Sequence, residues 1–166
     1  DIMGYLAPFL NPQPQLLAGK HVVVSAGGTM EDIDPVRYIT NRSSGLMGLA
    51  FAQTALKMGA RVTLVHTQLQ GPLPTGLSRS LFVRSAQEML DALDTLMNEL
   101  DILVMSAAVA DYRPREKAPD KIKKKSETLT IELIKNPDIL KTLASKKKTE
   151  QIFIGFALET NDLIAN

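Results

Sequence analysis

Apolar positions in this chain fall into short β-branched runs separated by stretches of helical spacing. His21 to Ser25 (HVVVS) is apolar without alternation, as a strand buried on both faces is. Gly48 to Gly59 predicts a helix, with Leu49, Ala52 and Leu56 on one face and Gly59 to close it. Arg61 to His66 (RVTLVH) predicts a second strand, Gln68 to Ser80 a loop broken by Pro72 and Pro74, and Leu81 to Arg84 a short third strand. Ser85, with Glu88 three residues on, forms a capping box that opens a helix to about Glu99. Asp101 to Ala107 (DILVMSA) predicts a fourth strand. From Arg113 to Glu127 Lys, Pro and charged residues dominate. Leu129 to Ile134 (LTIELI) then alternates like a two-sided strand, and Asn136-Pro137-Asp138 starts a helix through Leu143. Lys146 to Glu150 reads as a polar turn and Gln151 to Ala157 as another buried strand. Asp162 to Asn166 repeats a strand-end pattern. Residues 1–19, with Pro8, Pro12 and Pro14, read as a linker or N-terminal arm.

Strands alternating with helices at this spacing argue for an α/β fold, a Rossmann-like doubly wound and mostly parallel sheet. Ligands of such sheets bind beyond the carboxyl ends of the strands, here Ser25 to Gly28, His66 to Gln68 and Met105 to Asp111. Val22 to Gly48 is the most informative of these stretches. Its apolar run stops at Gly27-Gly28, and Ser43-Ser44-Gly45 opens the next helix. Between them lie about fifteen residues where a strand-to-helix loop usually needs two to six. Free amides and the positive end of the helix dipole make Gly27, Gly28, Ser43, Ser44 and Gly45 candidate phosphate or anion contacts.

Composition narrows the chemistry. The chain has 166 residues, enough for one domain with a full core. Its net charge is +1, which gives no general basic field for nucleic acid. It has no cysteine, so disulfides, thiolate metal sites and a cysteine nucleophile are excluded within it. Neither His21 nor His66 has a second histidine or a carboxylate at ligand spacing, so no side-chain metal site is expected. No apolar run reaches the length of a membrane span and no signal peptide is visible, so the cytoplasm is the expected compartment.

Several constellations stay open on residue chemistry alone. Arg37 could fork onto a phosphate or carboxylate, or pair with Asp34. Asn41 could hold an oxyanion, or cap the following helix. Ala107 to Tyr112 has small residues against which a flat ring could lie, and Asp111 could accept from ribose hydroxyls or favour a helix start. Lys121, Lys123, Lys124 and Lys125 could form a mobile basic flap over phosphates, or a solvated face. The glycine turn alone would also suit an NAD(P)-binding oxidoreductase. Against that, no G-x-G-x-x-G is packed into one turn, and the second strand ends in His66-Thr67-Gln68 without an acid for a ribose.

Five blocks occur in order: S-A-G-G-T…D-P-V-R-Y-I-T-N-R-S-S-G-L-M-G, A-A-V-A-D-Y-R, A-P-D-K-I-K-K, K-N-P-D-I-L and G-F-A-L-E-T. Together they resemble phosphopantothenoylcysteine synthetase, in bacteria usually the C-terminal half of a bifunctional synthetase/decarboxylase of coenzyme A biosynthesis. The resemblance covers about Lys20 to Asn161. It implies that CTP activates 4′-phosphopantothenate as an acyl-cytidylate, which L-cysteine converts to the amide. The choice of CTP over ATP rests on the bacterial character of the likeness.

The same resemblance implies magnesium (Mg2+) with the triphosphate, a homodimer, and a flavin only in the decarboxylase half. Asn41 is implied at the acyl-cytidylate stage, Arg37 matches the same motif, and Lys121 matches the flap lysine. Met105, Ser106, Ala107, Asp111, Pro137, Asp138, Ile139, Leu140 and Phe156 match the nucleotide pocket. Leu129 to Ile134 is the candidate dimerising strand. The family's basic helix after G-F-A-L-E-T-N and its terminal section are missing. Residues 20–166 therefore read as a synthetase domain that is C-terminally shortened or spliced near 161–162. A non-catalytic dimerisation module of a larger enzyme is the remaining alternative.

Overall fold

A computed structural model describes residues 15–124 and 127–157. Among them, β1 (His21–Ala26), β2 (Met30–Asp32), β3 (Tyr38–Thr40), α1 (Leu46–Lys57), β4 (Arg61–His66) and β5 (Arg79–Phe82) come first. They are followed by α2 (Ala86–Leu96), β6 (Ile102–Met105), β7 (Tyr112–Pro114), β8 (Leu133–Lys135), α3 (Ile139–Ala144) and β9 (Ile152–Gly155). Five strands form one parallel sheet in the order β5-β4-β1-β6-β9. The chain grows outward from β1 first to one side and then to the other, the doubly wound arrangement, and the reversal falls between β1 and β6.

Every residue of β1 is buried, which explains its unbroken apolar pattern. Successive valines serve opposite faces. Val22 and Val24 pack with Val62, Leu64 and α1 residues Leu49, Ala52 and Ala55. Val23 packs on the other side with Val65, Leu103 and the α2 and α3 residues Met89, Leu93, Leu96, Ile139 and Leu143. Burying each such aliphatic side chain is worth about 1.5–3 kcal/mol. At the amino end of the sheet His21 is itself buried, its Nε2 2.8 Å from Thr63 Oγ1 and its Nδ1 3.0 Å from the Glu99 carbonyl. Burial pushes its pKa down, against the opposing effect of the Glu99 carbonyl.

Several elements depart from the sequence pattern for identifiable reasons. Helix α1 starts at Leu46 rather than Gly48, because Gly45 caps it in the left-handed region (φ 73) and Leu46 and Met47 are exposed, leaving no apolar signal. Gly48 lies instead where helix and strand nearly touch: a Cβ there would stand 2.5 Å from Ala26 Cβ and 2.8 Å from Ser106 Oγ. The third strand is shifted to Arg79–Phe82, since its register is set by backbone pairing with β4 and its side chains are only half covered. Within Leu129 to Ile134 only the end becomes strand: Leu133–Lys135 pairs antiparallel with β7, where Pro114 offers no amide to extend the ladder. The last described strand, expected to be buried, exposes Ile152 and Ile154. The insertion itself contains an antiparallel hairpin of β2 and β3, which the sequence reading leaves as loop. The expected strand end over 162–166 lies outside the described residues.

Candidate active site

A cleft of about 1030 Å³ opens beyond the carboxyl ends of β6 and β9. One wall is the loop after β6, and hydrogen bonds fasten it to the end of β1. Ala107 N donates to Ser25 Oγ at 3.1 Å, and Ser106 Oγ donates to the Ser25 carbonyl at 2.5 Å. Ala108 N donates to the Gly27 carbonyl at 2.8 Å, Thr29 N to the Ala108 carbonyl at 3.3 Å, and Ala110 N to Thr29 Oγ1 at 2.9 Å. On the far side Asn136 Nδ2 donates to the Ala110 carbonyl at 2.7 Å and Asn136 N to the Asp111 carbonyl at 2.8 Å. Asn136 Oδ1 in turn accepts from Arg113 Nη1 at 3.0 Å. The loop is thus braced from two sides.

The insertion reaches this wall through Asn41, whose Nδ2 donates to the Val109 carbonyl at 3.0 Å. Asn41 therefore does not cap α1; Gly45 holds that place. With Asn41, the cleft is lined by Met105, Ala107, Asp111, Pro137, Asp138, Ile139, Leu140 and Phe156. Asp111 sits in the loop before β7, not at a helix start. Asp138 caps α3 by accepting from Lys141 N at 2.9 Å. Phe156 is 49% exposed, with its ring centroid 5.4 Å from that of Phe51.

Other residues singled out from sequence stand apart from this cleft. Ser106 is turned toward β1 by its bond to Ser25. Gly27, Gly28, Ser43, Ser44 and Gly45 lie behind Asn41 and do not line the cleft. A Cβ on Gly28 would stand 2.8 Å from the Asn41 carbonyl, and one on Gly45 3.3 Å from Gly27 Cα. The two serine hydroxyls accept from the first amides of the helix start, Ser43 from Gly45 N at 3.3 Å and Ser44 from Leu46 N at 3.4 Å. Arg37 is committed to Asp34, its Nη2 2.5 Å from Oδ2. Lys121, Lys123 and Lys124 are exposed. Ser25, Thr29 and Asn136 fall inside the motifs S-A-G-G-T and K-N-P-D-I-L, but sequence reasoning gave them no bracing role, because the loop amides and carbonyl they bind are more than 20 residues away.

The cleft offers few side-chain oxygens to a magnesium ion. Among the described residues no group of three or more His, Asp or Glu is arranged to hold a metal. Asp111 is its one carboxylate besides the capping Asp138. That chemistry does not make a protein cage; it is compatible with an ion carried mainly by phosphate oxygens and water. Nor is any helix of the described residues long and apolar enough to cross a membrane.

The coenzyme A biosynthesis bifunctional protein CoaBC of Vibrio vulnificus (strain YJ016) is 47% identical over 153 residues, covering 91% of this chain and 38% of that protein. The chain spans about two fifths of the length of the curated relatives it matches. The crystal structure of the C-terminal domain of CoaBC superposes with a TM-score of 0.78 at 41% identity, over 90% of this chain and 69% of that one. A mutant Cab2 in complex with phosphopantothenate-cysteine gives a TM-score of 0.69 at 19% identity, over 86% of this chain and 65% of that one, a likeness of fold. Residues 17–166 match the model of the DFP family, and the chain belongs to that family, the DNA/pantothenate metabolism flavoprotein C-terminal domain.

Proposed function

We propose that this domain joins 4′-phosphopantothenate to L-cysteine in coenzyme A biosynthesis, using CTP to activate the acid. The observation that carries this reading is the Asn41–Val109 bond, which brings the polar insertion onto the braced loop of a nucleotide-sized cleft. The small residues of that loop leave room for a base, Asp111 can accept from ribose hydroxyls, and the exposed Phe156 ring can lie against the base. The acid's carboxylate oxygen attacks the α-phosphorus of CTP and the bond to pyrophosphate breaks. Cysteine's amine then attacks the acyl carbon, CMP leaves, and the amine gives up a proton. Catalysis of this kind is positioning plus stabilisation of developing charge. In this reading Asn41 Nδ2, which gives one hydrogen to the Val109 carbonyl, gives its other to the oxygen on which charge grows, and Lys121 neutralises phosphate. Arg37 acts from the same motif by holding Asp34, and Gly27, Gly28, Ser43, Ser44 and Gly45 are read as an anion side next to the cleft rather than lining it. Magnesium supplies charge neutralisation on the triphosphate. We place the domain in a cytoplasmic homodimer, beside a flavin-dependent decarboxylase region of the kind its bifunctional relatives contain.

The test is incubation with CTP, magnesium and 4′-phosphopantothenate, then L-cysteine. Pyrophosphate release before cysteine is added, and the amide mass after it, are expected. Thermal shift by NADP and none by CTP would favour an oxidoreductase instead. A shift by neither, with no pyrophosphate, would leave a dimerisation module.

A further inference from the structure

We propose that Asp34 is a positioning residue: its carboxylate latches the segment carrying Lys121 onto the insertion. The inference rests on the reading of Lys121 as the phosphate-neutralising cation, but the latch itself is a matter of geometry. Asp34 is 1% exposed. Its Oδ1 accepts from Val36 N and Arg37 N, each at 2.8 Å, which is all that a local turn needs. Its Oδ2 does something the turn does not require. It accepts from Arg37 Nε at 3.0 Å and Nη2 at 2.5 Å, and from Ile122 N at 3.1 Å, far along the chain. Arg37 Nη2 also donates to the Ile122 carbonyl at 3.0 Å. Both backbone groups of the residue after Lys121 are therefore held by the Asp34–Arg37 pair.

The neighbours of Asp34 make the same crossing. Lys117 Nζ binds Asp32 Oδ2 at 2.6 Å, and Ala118 N donates to the Ile33 carbonyl at 2.9 Å. Pro119, Asp120 and Lys121 thus form a short arch with both feet fixed to residues 32–34. Lys121 is poised at the second foot, with the exposed Lys123 and Lys124 just beyond it. The Arg37 guanidinium holds the Asp34 carboxyl well below the usual carboxylate range, so the latch keeps its charge at any physiological pH.

Asp34→Asn separates the two tasks of this side chain. The amide oxygen can keep the turn, while the amide nitrogen sets a donor against the donors of Arg37 and Ile122. In the full chain, trypsin cleavage after Lys121, Lys123 and Lys124, relative to cleavage after Lys146 to Lys148, is expected to rise about tenfold with the circular dichroism unchanged. Arg37→Lys, which keeps the charge but loses the fork, should raise the same ratio and serves if the first variant fails to fold. An unchanged ratio in both variants overturns the latch. Asp34→Asn should also lower CTP-dependent pyrophosphate release about tenfold with Lys121 present and not at all in a Lys121→Gln background. Equal losses in both backgrounds would make Asp34 merely structural. If the unaltered protein releases no pyrophosphate, the proposed function falls, while the cleavage ratio still decides the latch.

Discussion

The two regions that converge near the insertion are held by different forces. The loop after β6 is fastened to β1 by short neutral hydrogen bonds among buried or half-buried residues, Ser25, Thr29, Ala107 and Ala110. The arch bearing Lys121 is fastened by charged groups, Asp32, Asp34, Arg37 and Lys117. Neutral bonds inside a packed body vary little with salt, whereas partly exposed ion pairs are screened. The first region is built as a fixed wall and the second as a fastening that solvent conditions can loosen.

Asn41 touches the wall from the insertion side and should show the largest effect. Asn41→Asp replaces a donor to the Val109 carbonyl with an acceptor. It is expected to cut amide formation by about 10²–10³-fold, the scale for removing one oxyanion donor. Mass spectrometry should then find the acyl-cytidylate accumulating; normal product would remove Asn41 from the chemistry. Lys121→Gln comes next, slowing pyrophosphate release by about ten- to a hundredfold while cysteine addition to preformed intermediate is unaffected. Unchanged release would return this lysine to the solvated surface.

Gly48→Val tests the body rather than the site. Its side chain would collide with Ala26 and Ser106, so unfolding by urea should show a loss of about 1–3 kcal/mol. An unaltered midpoint would mean that helix and strand can separate at little cost. The smallest effect concerns His21. Its pKa is lower in the folded state than in the unfolded one, so the unfolded chain binds the extra proton as pH falls. The stability contributed by the neutral ring is therefore full above about pH 6.5 and is lost as pH drops through the folded value. Denaturant midpoints should fall over that window in the unaltered protein and flatten in His21→Gln.

Patterning made the body readable and left the fastenings hidden. Unbroken burial in β1 and the cap at α2 were evident; Ser85 Oγ accepts from Glu88 N as a capping box requires, while Glu88 Oε2 reaches one residue further back, to Arg84 N. The cap depends on neighbours close in sequence, and the β1 run was legible because an unbroken apolar stretch already marks burial on both faces, whichever partners supply it. The β2–β3 hairpin was not legible because its support is remote: Met30 N donates to the Arg84 carbonyl and Glu31 Oε1 accepts from Ala86 N. The order of motif blocks pointed to Asn41 and the residues of the cleft wall together. Of the two readings of Arg37, the pair with Asp34 is the one that forms; its second partner, the Ile122 carbonyl, lies outside any local window.

The bracing of residues 106–111 bears on the thermodynamics of recognition. A pocket side that is already ordered loses little freedom when occupied, so its share of the association entropy falls on the incoming molecule alone. Free and liganded forms should then share one backbone trace along this stretch, and affinity gained there would come from contact rather than from the expense of reshaping.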